Sequence, residues 1–180
     1  AAHHILQPYF VIDSAERLKK LSVSVNLNID IVEISTPHEA LTLFKKALPV
    51  FPIELADQVI PGELNSKNTP AVISAIEQAV ELVQSGEAGA IVTNPIHKKA
   101  LYQIGFSQPG HTEFLAALAG IETEPVMMLT SERLRVIPVT RHVGVQAALK
   151  LLTPELIVET ALIADAALRQ DFGLAQPRLA

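Results

Sequence analysis

Short apolar runs and longer amphipathic stretches alternate along the chain. Runs of strand length at 9–12, 31–34 and 89–93 predict buried strands, and a further strand is predicted at 57–60. The run at 89–93 is almost continuously apolar, which is typical of a parallel strand that is covered on both faces. The alternation of strands with helices predicts an α/β fold.

Helices are predicted where a capping residue precedes an apolar stretch of helical period. Four such starts occur, at Asp13, Thr36, Thr69 and Thr153. The last three are followed by proline, which favours the first helical position. The second helix is predicted to reach about Leu48, because Pro49 and Pro52 then stop it. Glycines are predicted to end four helices, at positions 86, 105, 120 and 173.

The last third of the chain combines a hairpin with two helices. Strand candidates at 126–129 and 134–139 are separated by four residues, which predicts an antiparallel hairpin. Helices are predicted at 145–151 and 154–171, and 177–180 has the pattern of a strand that is beginning. The helix at 154–171 is apolar on most sides, so it is predicted to be either a central helix of the monomer or a helix at a subunit interface.

Composition narrows the class of protein. The 180 residues are 49% apolar and 18% charged, which suits one packed domain or a little more. A net charge of −5 without a basic cluster argues against a nucleic-acid partner, and no apolar run is long enough to span a membrane. The absence of cysteine excludes disulfides and thiolate metal sites and fits a cytoplasmic protein.

Polar side chains with possible chemistry follow predicted strands or open predicted helices. A Pro109–Gly110 turn delivers His111 and Thr112 to a helix start, and His142 follows the 134–139 strand. Open α/β sheets bind ligands where such element ends meet. Imidazole is a good ligand for zinc-like metals, so both histidines are candidate metal ligands, although a lone histidine is more often a surface or hydrogen-bonded core residue.

Thr112 allows two interpretations from its position alone. It is either a simple N-cap, or part of an anion site made with the free N–H groups of the helix and the His111 imidazole. Lys98 lies at the start of a short predicted helix, where a charged side chain is usually only solvated. Arg135 lies in an apolar strand run, where it needs an acidic partner or an edge position.

Five sequence blocks together resemble the 4-hydroxythreonine-4-phosphate dehydrogenase family of vitamin B6 (pyridoxal phosphate) biosynthesis. The blocks are VTNPIHK at 92–98, GHTEF at 110–114, VMML at 126–129, LRV at 134–136 and TRH at 140–142. The resemblance implies an α/β fold of the two-domain isocitrate/isopropylmalate dehydrogenase type, incomplete here at both ends, with residues 1–108 and 109–180 as parts of the two domains. It also implies a homodimer with an active site between domains.

The resemblance assigns roles to three residues. It implies that His111 and Thr112 contact the substrate and that His142 is a ligand of a divalent metal, which is zinc, magnesium or cobalt. His111 thereby changes from a candidate metal ligand to a substrate contact. The resemblance also implies NAD or NADP as cofactor, and further metal and substrate ligands beyond residue 180.

The implied reaction is the oxidation of a small phosphorylated substrate, 4-phosphooxy-L-threonine, followed by decarboxylation to 3-amino-2-oxopropyl phosphate. One alternative is a sibling dehydrogenase acting on a phosphorylated sugar acid such as 4-phosphothreonate. The other is a catalytically silent α/β fragment that at most binds an anion or a partner subunit. Because the chain is expected to be an internal piece of the enzyme, we expect the 180 residues alone to be inactive.

Overall fold

The structure is a computed structural model that describes residues 7–106, 108 and 110–180. Contacts divide the chain into two compact units, Ala1–Glu122 and Thr123–Ala180. The helix that carries His111 and Thr112 therefore belongs to the first unit. The boundary at 108/109 concerns the domains of a whole enzyme and stays a prediction.

A three-stranded parallel sheet forms the centre of the first unit. Its strands are β1 (Val11–Asp13), β2 (Ile31–Glu33) and β3 (Leu48–Pro52), in the order β1-β3-β2. Val50 of β3 is fully buried and packs with Ala15 and Ile31 to form the hydrophobic core of the sheet. The strands predicted at 9–12 and 31–34 are thus confirmed, with β1 shifted towards Asp13.

The helix predicted over 36–48 is wrong at its C-terminal end. A 3-10 turn, Pro37–Glu39, leads into the short helix α2 (Ala40–Leu43), and the chain then becomes the central strand β3. The Thr36 start is confirmed, because the Glu39 carboxylate accepts hydrogen bonds from the backbone N–H groups of Ser35 and Thr36 at 3.0 and 2.8 Å. The start signal was local, whereas the strand depends on partners elsewhere in the chain.

Two prolines occupy the central strand, although proline normally avoids this position because it cannot donate a hydrogen bond. Leu48 donates to Asp30 on the β2 side and Ile53 donates to Asp13 on the β1 side. Backbone N–H groups point alternately to the two sides of a strand. The Pro49 nitrogen points towards β1, one residue before the first paired residue of β3 on that side. The Pro52 nitrogen points towards β2, beyond the last paired residue of β3 on that side. Neither proline therefore removes a bond from the ladder.

Two predicted strands of the first unit are wrong. Residues 57–60 form an irregular loop, which is held by side-chain hydrogen bonds from Asn68. Residues 89–93 are also irregular, and Val92 is 98% exposed. An apolar run becomes a buried strand only where neighbouring strands and covering layers exist, and the described residues provide none at this place.

The remaining helices of the first unit are amphipathic and close to their predicted positions. They are α1 (Ala15–Ser24), α3 (Thr69–Gln84), α4 (Lys98–Gln103) and α5 (His111–Leu118). The stop predicted at Gly86 is confirmed, because this glycine adopts a left-handed backbone with φ of 79° just after α3.

Two predicted N-caps are displaced by one residue. The cap of α1 is Ser14 rather than Asp13, because β1 extends through Asp13 and the helix starts later. Asp13 instead accepts a hydrogen bond from the Arg17 side chain. The cap position of α3 is Asn68, and Thr69 is the first helical residue.

The second unit contains a hairpin and two helices. Strands β4 (Leu129–Thr130) and β5 (Arg135–Val136) pair in antiparallel fashion, which confirms the predicted hairpin with shorter strands. Helix α6 (Val145–Leu151) matches its prediction, and α7 (Pro154–Gln170) starts at the predicted cap, where Thr153 Oγ1 accepts a hydrogen bond from Leu156 N at 3.2 Å. The strand predicted at 177–180 is wrong, since these residues are irregular.

Helix α7 is buried on one side only. Thr160, Ala164 and Leu168 are buried, whereas Val158 and Leu162 are 56% and 66% exposed. One side of α7 is thus left uncovered by the described residues, and both alternatives, a central helix of the monomer and a helix at a subunit interface, stay predictions. Among the described residues, no helix has the length and apolar character needed to cross a bilayer.

Candidate functional site

Helix α5 presents His111 and Thr112 at its first two positions. Gly110 is the N-cap, and its carbonyl oxygen accepts the hydrogen bond from Phe114 N at 3.1 Å. The interpretation of Thr112 as the N-cap is therefore wrong, because the helix has already begun at His111. Among the described residues, no side chain makes a capping hydrogen bond to this helix start. Pro109 of the predicted turn lies outside the described residues.

Aromatic packing holds the start of α5 in place. The Phe114 side chain is buried, and its ring meets Phe106 edge-on with a centroid distance of 4.9 Å and an interplanar angle of 85°. Ala116, one turn away from Thr112 along the helix, is also buried, and α5 packs against α3. His111 is half-buried and Thr112 is exposed, so the outward side of the helix start is open.

Lys98 approaches the start of α5 from helix α4. A methyl group added at Gly110 would lie 3.8 Å from Lys98 Nζ and 3.3 Å from Glu113 Oε2. An ammonium group and a carboxylate therefore flank the glycine that precedes His111. From the sequence, a solvated Lys98 is the more common case and a substrate role the less common one, because nothing local indicates that the start of α4 reaches the start of α5.

His142 lies on a loop of the second unit with an unusual backbone. Its φ is 56°, which places this residue in the left-handed region that side chains with a Cβ rarely adopt. The imidazole is exposed between the hairpin and α6. A neutral imidazole on an open loop is a suitable single ligand for a divalent metal.

Arg141 ties this loop to an earlier part of the same unit. One terminal nitrogen, Nη1, donates to the carbonyl oxygen of Pro125, and Nη2 donates to Glu124 Oε2 at 3.2 Å. The Arg141 side chain is 19% exposed, whereas that of Glu124 is 86% exposed. The sequence does not indicate these contacts of Arg141, because the partners lie 16 and 17 positions away.

The described residues do not form a complete metal site around His111 or His142. Within the described ranges, no group of three or more histidine, cysteine, aspartate or glutamate side chains is arranged to hold a metal. His111 and His142 belong to different units, each of which is described by itself. The roles predicted for His111, Thr112 and His142 therefore stay predictions at this point.

Arg135 has a partner other than the predicted acid. Its guanidinium lies over the ring of Phe172, 4.9 Å from the centroid, within the second unit. Strand β5, which carries Arg135, is exposed. The prediction of an edge position fits this exposed two-stranded hairpin, and the cation is stabilised by an aromatic face.

The chain is an α/β protein with a parallel sheet and flanking helices. It carries polar groups at a helix start, which is a common place for ligands to bind. The family described as "Pyridoxal phosphate biosynthetic protein PdxA" matches residues 5–180. The chain belongs to this family.

Curated relatives agree with the family assignment. The chain is 46% identical over 178 residues to a 4-hydroxythreonine-4-phosphate dehydrogenase of Methylorubrum populi, covering 96% of this chain and 51% of the relative. It is 47% identical over 165 residues to a protein of the same name from Bradyrhizobium diazoefficiens, covering 90% and 48%. The chain thus spans about half the length of the curated relatives it matches.

Solved structures of the same kind share the fold. A 4-hydroxythreonine-4-phosphate dehydrogenase from Burkholderia phymatum superposes with a TM-score of 0.84 at 36% identity, covering 94% of this chain and 51% of that one. The enzyme of the same name from Klebsiella pneumoniae gives a TM-score of 0.86 at 29% identity, covering 99% and 55%. The predicted α/β class is confirmed by these neighbours.

Proposed function

We propose that the gene product is a dehydrogenase of pyridoxal phosphate biosynthesis. Its reaction is the NAD- or NADP-dependent oxidation of 4-phosphooxy-L-threonine, followed by decarboxylation to 3-amino-2-oxopropyl phosphate. The observation that carries the proposal is the identity of 46–47% to relatives that bear the name of this enzyme, over nearly the whole chain. A phosphorylated sugar acid is the competing substrate, and the relatives' names favour the phosphorylated hydroxythreonine.

In this proposal the start of α5 holds an anionic group of the substrate. The first N–H groups of α5, the Thr112 hydroxyl and the half-buried His111 imidazole are all groups that can donate hydrogen bonds to such an anion. The Lys98 ammonium adds positive charge near Gly110, while the Glu113 carboxylate opposes it. The residues of this chain thus bind and orient the substrate, which raises the rate by positioning the reacting carbon.

His142 supplies one ligand to a divalent metal in the same proposal. The metal, when bound, lowers the pKa of the substrate alcohol and stabilises negative charge that develops on oxidation and decarboxylation. The exposed His142 imidazole would provide one nitrogen ligand, and a protein site for such a metal needs about three protein ligands. The proposal also includes a homodimer, and the exposed apolar side of α7 supports it as a surface that a second copy could cover.

The role of Thr112 is tested by Thr112→Val in the complete gene product. Loss of one hydrogen bond to a charged group, about 1.5–3 kcal/mol, should raise the KM for the phosphorylated substrate about tenfold or more and leave the metal content unchanged. Thr42→Val is the matched control, since Thr42 is an exposed threonine on α2. A change in thermal stability alone, with an unchanged KM, would show that Thr112 is only structural.

The role of His142 is tested separately by His142→Ala. This variant should lose most divalent-metal affinity and most turnover while its circular dichroism spectrum is retained. His38→Ala is the control, because His38 is also an exposed histidine and belongs to the other unit. Full metal stoichiometry and an unchanged rate in His142→Ala would contradict the assignment.

A further inference from the structure

Buried contacts hold helices α4 and α5 in place against each other, and this fixes where Lys98 lies. Leu101 of α4 is 2% exposed, and its carbonyl oxygen accepts a hydrogen bond from Phe106 N at 3.1 Å. The Phe106 ring in turn packs edge-on against Phe114 of α5. The backbone of Lys98, one turn before Leu101, is therefore positioned relative to the start of α5 by packing rather than by its own flexible side chain.

The Lys98 ammonium is not neutralised by a carboxylate of the protein. Among the residues that the structure describes, Lys98 takes part in no ion pair. Lys98 Nζ and Glu113 Oε2 lie 3.8 and 3.3 Å from the position of a Cβ added at Gly110, but they do not reach each other as an ion pair. A cation beside the positive end of a helix is electrostatically unfavourable. An anion bound at this helix start would remove that repulsion.

We propose that Lys98 is a specificity residue, whose ammonium makes the start of α5 select the doubly charged phosphate group of the substrate. The proposal rests on the proposed function, which places an anionic group of the substrate at this helix start. The attraction between the ammonium and an anion grows with the charge of the anion. The half-buried Glu113 carboxylate repels any anion at the same place, so an anion binds well only if it gains the interaction with Lys98.

Lys99 provides a matched comparison on the same helix. It follows Lys98 on α4 and is also exposed. Consecutive residues of an α-helix are rotated by about 100° from each other, so the two side chains leave α4 in different directions. Of the two ammonium groups, only that of Lys98 lies within 4 Å of the Gly110 Cβ position.

The test measures binding of inorganic phosphate to the complete gene product by calorimetry, and KM and kcat by nicotinamide reduction. Lys98→Gln should weaken phosphate binding about tenfold, as expected for the loss of one hydrogen bond to a charged group. It should raise KM by a similar factor and leave kcat nearly unchanged, because the interaction is made in both the ground state and the transition state. Lys98→Arg should retain most of the affinity, and Lys99→Gln all of it. Glu113→Gln should strengthen phosphate binding, because it removes a repulsive charge.

Equal phosphate affinity in Lys98→Gln and Lys99→Gln would overturn the role of Lys98. An equal loss in Lys98→Arg and Lys98→Gln would also overturn it, because the positive charge would then not be the cause. The proposed function is judged separately, by nicotinamide reduction in the unaltered gene product. Absence of that reduction, together with phosphate binding that depends on Lys98, would overturn the dehydrogenase assignment and leave the anion contact in place.

Discussion

Asn68 is the buried polar residue on which the loop before α3 depends. Asn68 is 6% exposed, and its side chain makes two hydrogen bonds to the backbone of Asp57. Oδ1 accepts from Asp57 N and Nδ2 donates to Asp57 O, both at 2.9 Å. The 3-10 turn that contains Asn68 also contacts α4 and α3, and α3 packs against α5.

Replacing Asn68 with alanine should cost about 2 kcal/mol. Each hydrogen bond contributes about 0.5–1.5 kcal/mol net, and Asp57 is half-buried, so water satisfies its freed groups only in part. A loss of about 2 kcal/mol raises the fraction of open loop about thirtyfold. The Asp57 amide proton should therefore exchange with solvent about thirtyfold faster, which hydrogen exchange followed by NMR measures directly.

Asn65→Ala is the matched control for this experiment. Asn65 also makes two hydrogen bonds, to Lys67 N at 3.0 Å and to Gln58 O at 3.3 Å, but at a more exposed position. Its removal should cost less than about 1 kcal/mol, because water replaces the lost partners. If the Asp57 amide exchanged no faster in Asn68→Ala than in Asn65→Ala, the assignment of loop stability to the Asn68 pair would be wrong.

Three further predictions concern packing, charge and association. A double-mutant cycle of Phe106→Leu and Phe114→Leu should give a coupling of about 0.5–1.5 kcal/mol in urea unfolding, and additivity would contradict the edge-on contact. The Lys67 ammonium, with nearby amide donors, lowers the pKa of Asp57 below its ordinary 3.8, so this carboxylate stabilises the fold above that pH and the contribution is lost as pH falls through the lowered pKa. The stability difference between the protein and Asp57→Asn should shrink on acidification, and a pH-independent difference would refute this. If the proposed homodimer uses the exposed side of α7, Leu162→Glu should lower the dimer fraction in sedimentation, and an unchanged dimer fraction would contradict this placement.

Features with local causes were predictable from the sequence. The caps at Thr36 and Thr153 and the stop at Gly86 depend on side chains within a few residues, and each is present in the structure. The hairpin between β4 and β5 was predictable for the same reason, since its two strands are separated by a short turn.

Features with distant causes were not predictable. Pro49 and Pro52 were interpreted as stop signals, yet they fit a central strand because of where β1 and β2 begin and end. The exposure of Val92 likewise depends on which strands stand beside it. In the candidate site, the sequence predicted the helix start at His111 and Thr112. The approach of Lys98 to Gly110 could not be predicted, because these residues are far apart along the chain. The same holds for the hydrogen bonds of Arg141 to Pro125 and Glu124.

We propose above that this chain forms part of a metal-dependent dehydrogenase for a phosphorylated hydroxythreonine. The most direct measurement is nicotinamide reduction by the complete gene product with added divalent metal, comparing 4-phosphooxy-L-threonine with 4-phosphothreonate. We expect steady reduction with the first substrate, a higher kcat/KM than with the second, and loss of reduction on metal chelation. Absence of reduction with 4-phosphooxy-L-threonine, or full activity in the presence of chelator, would contradict it.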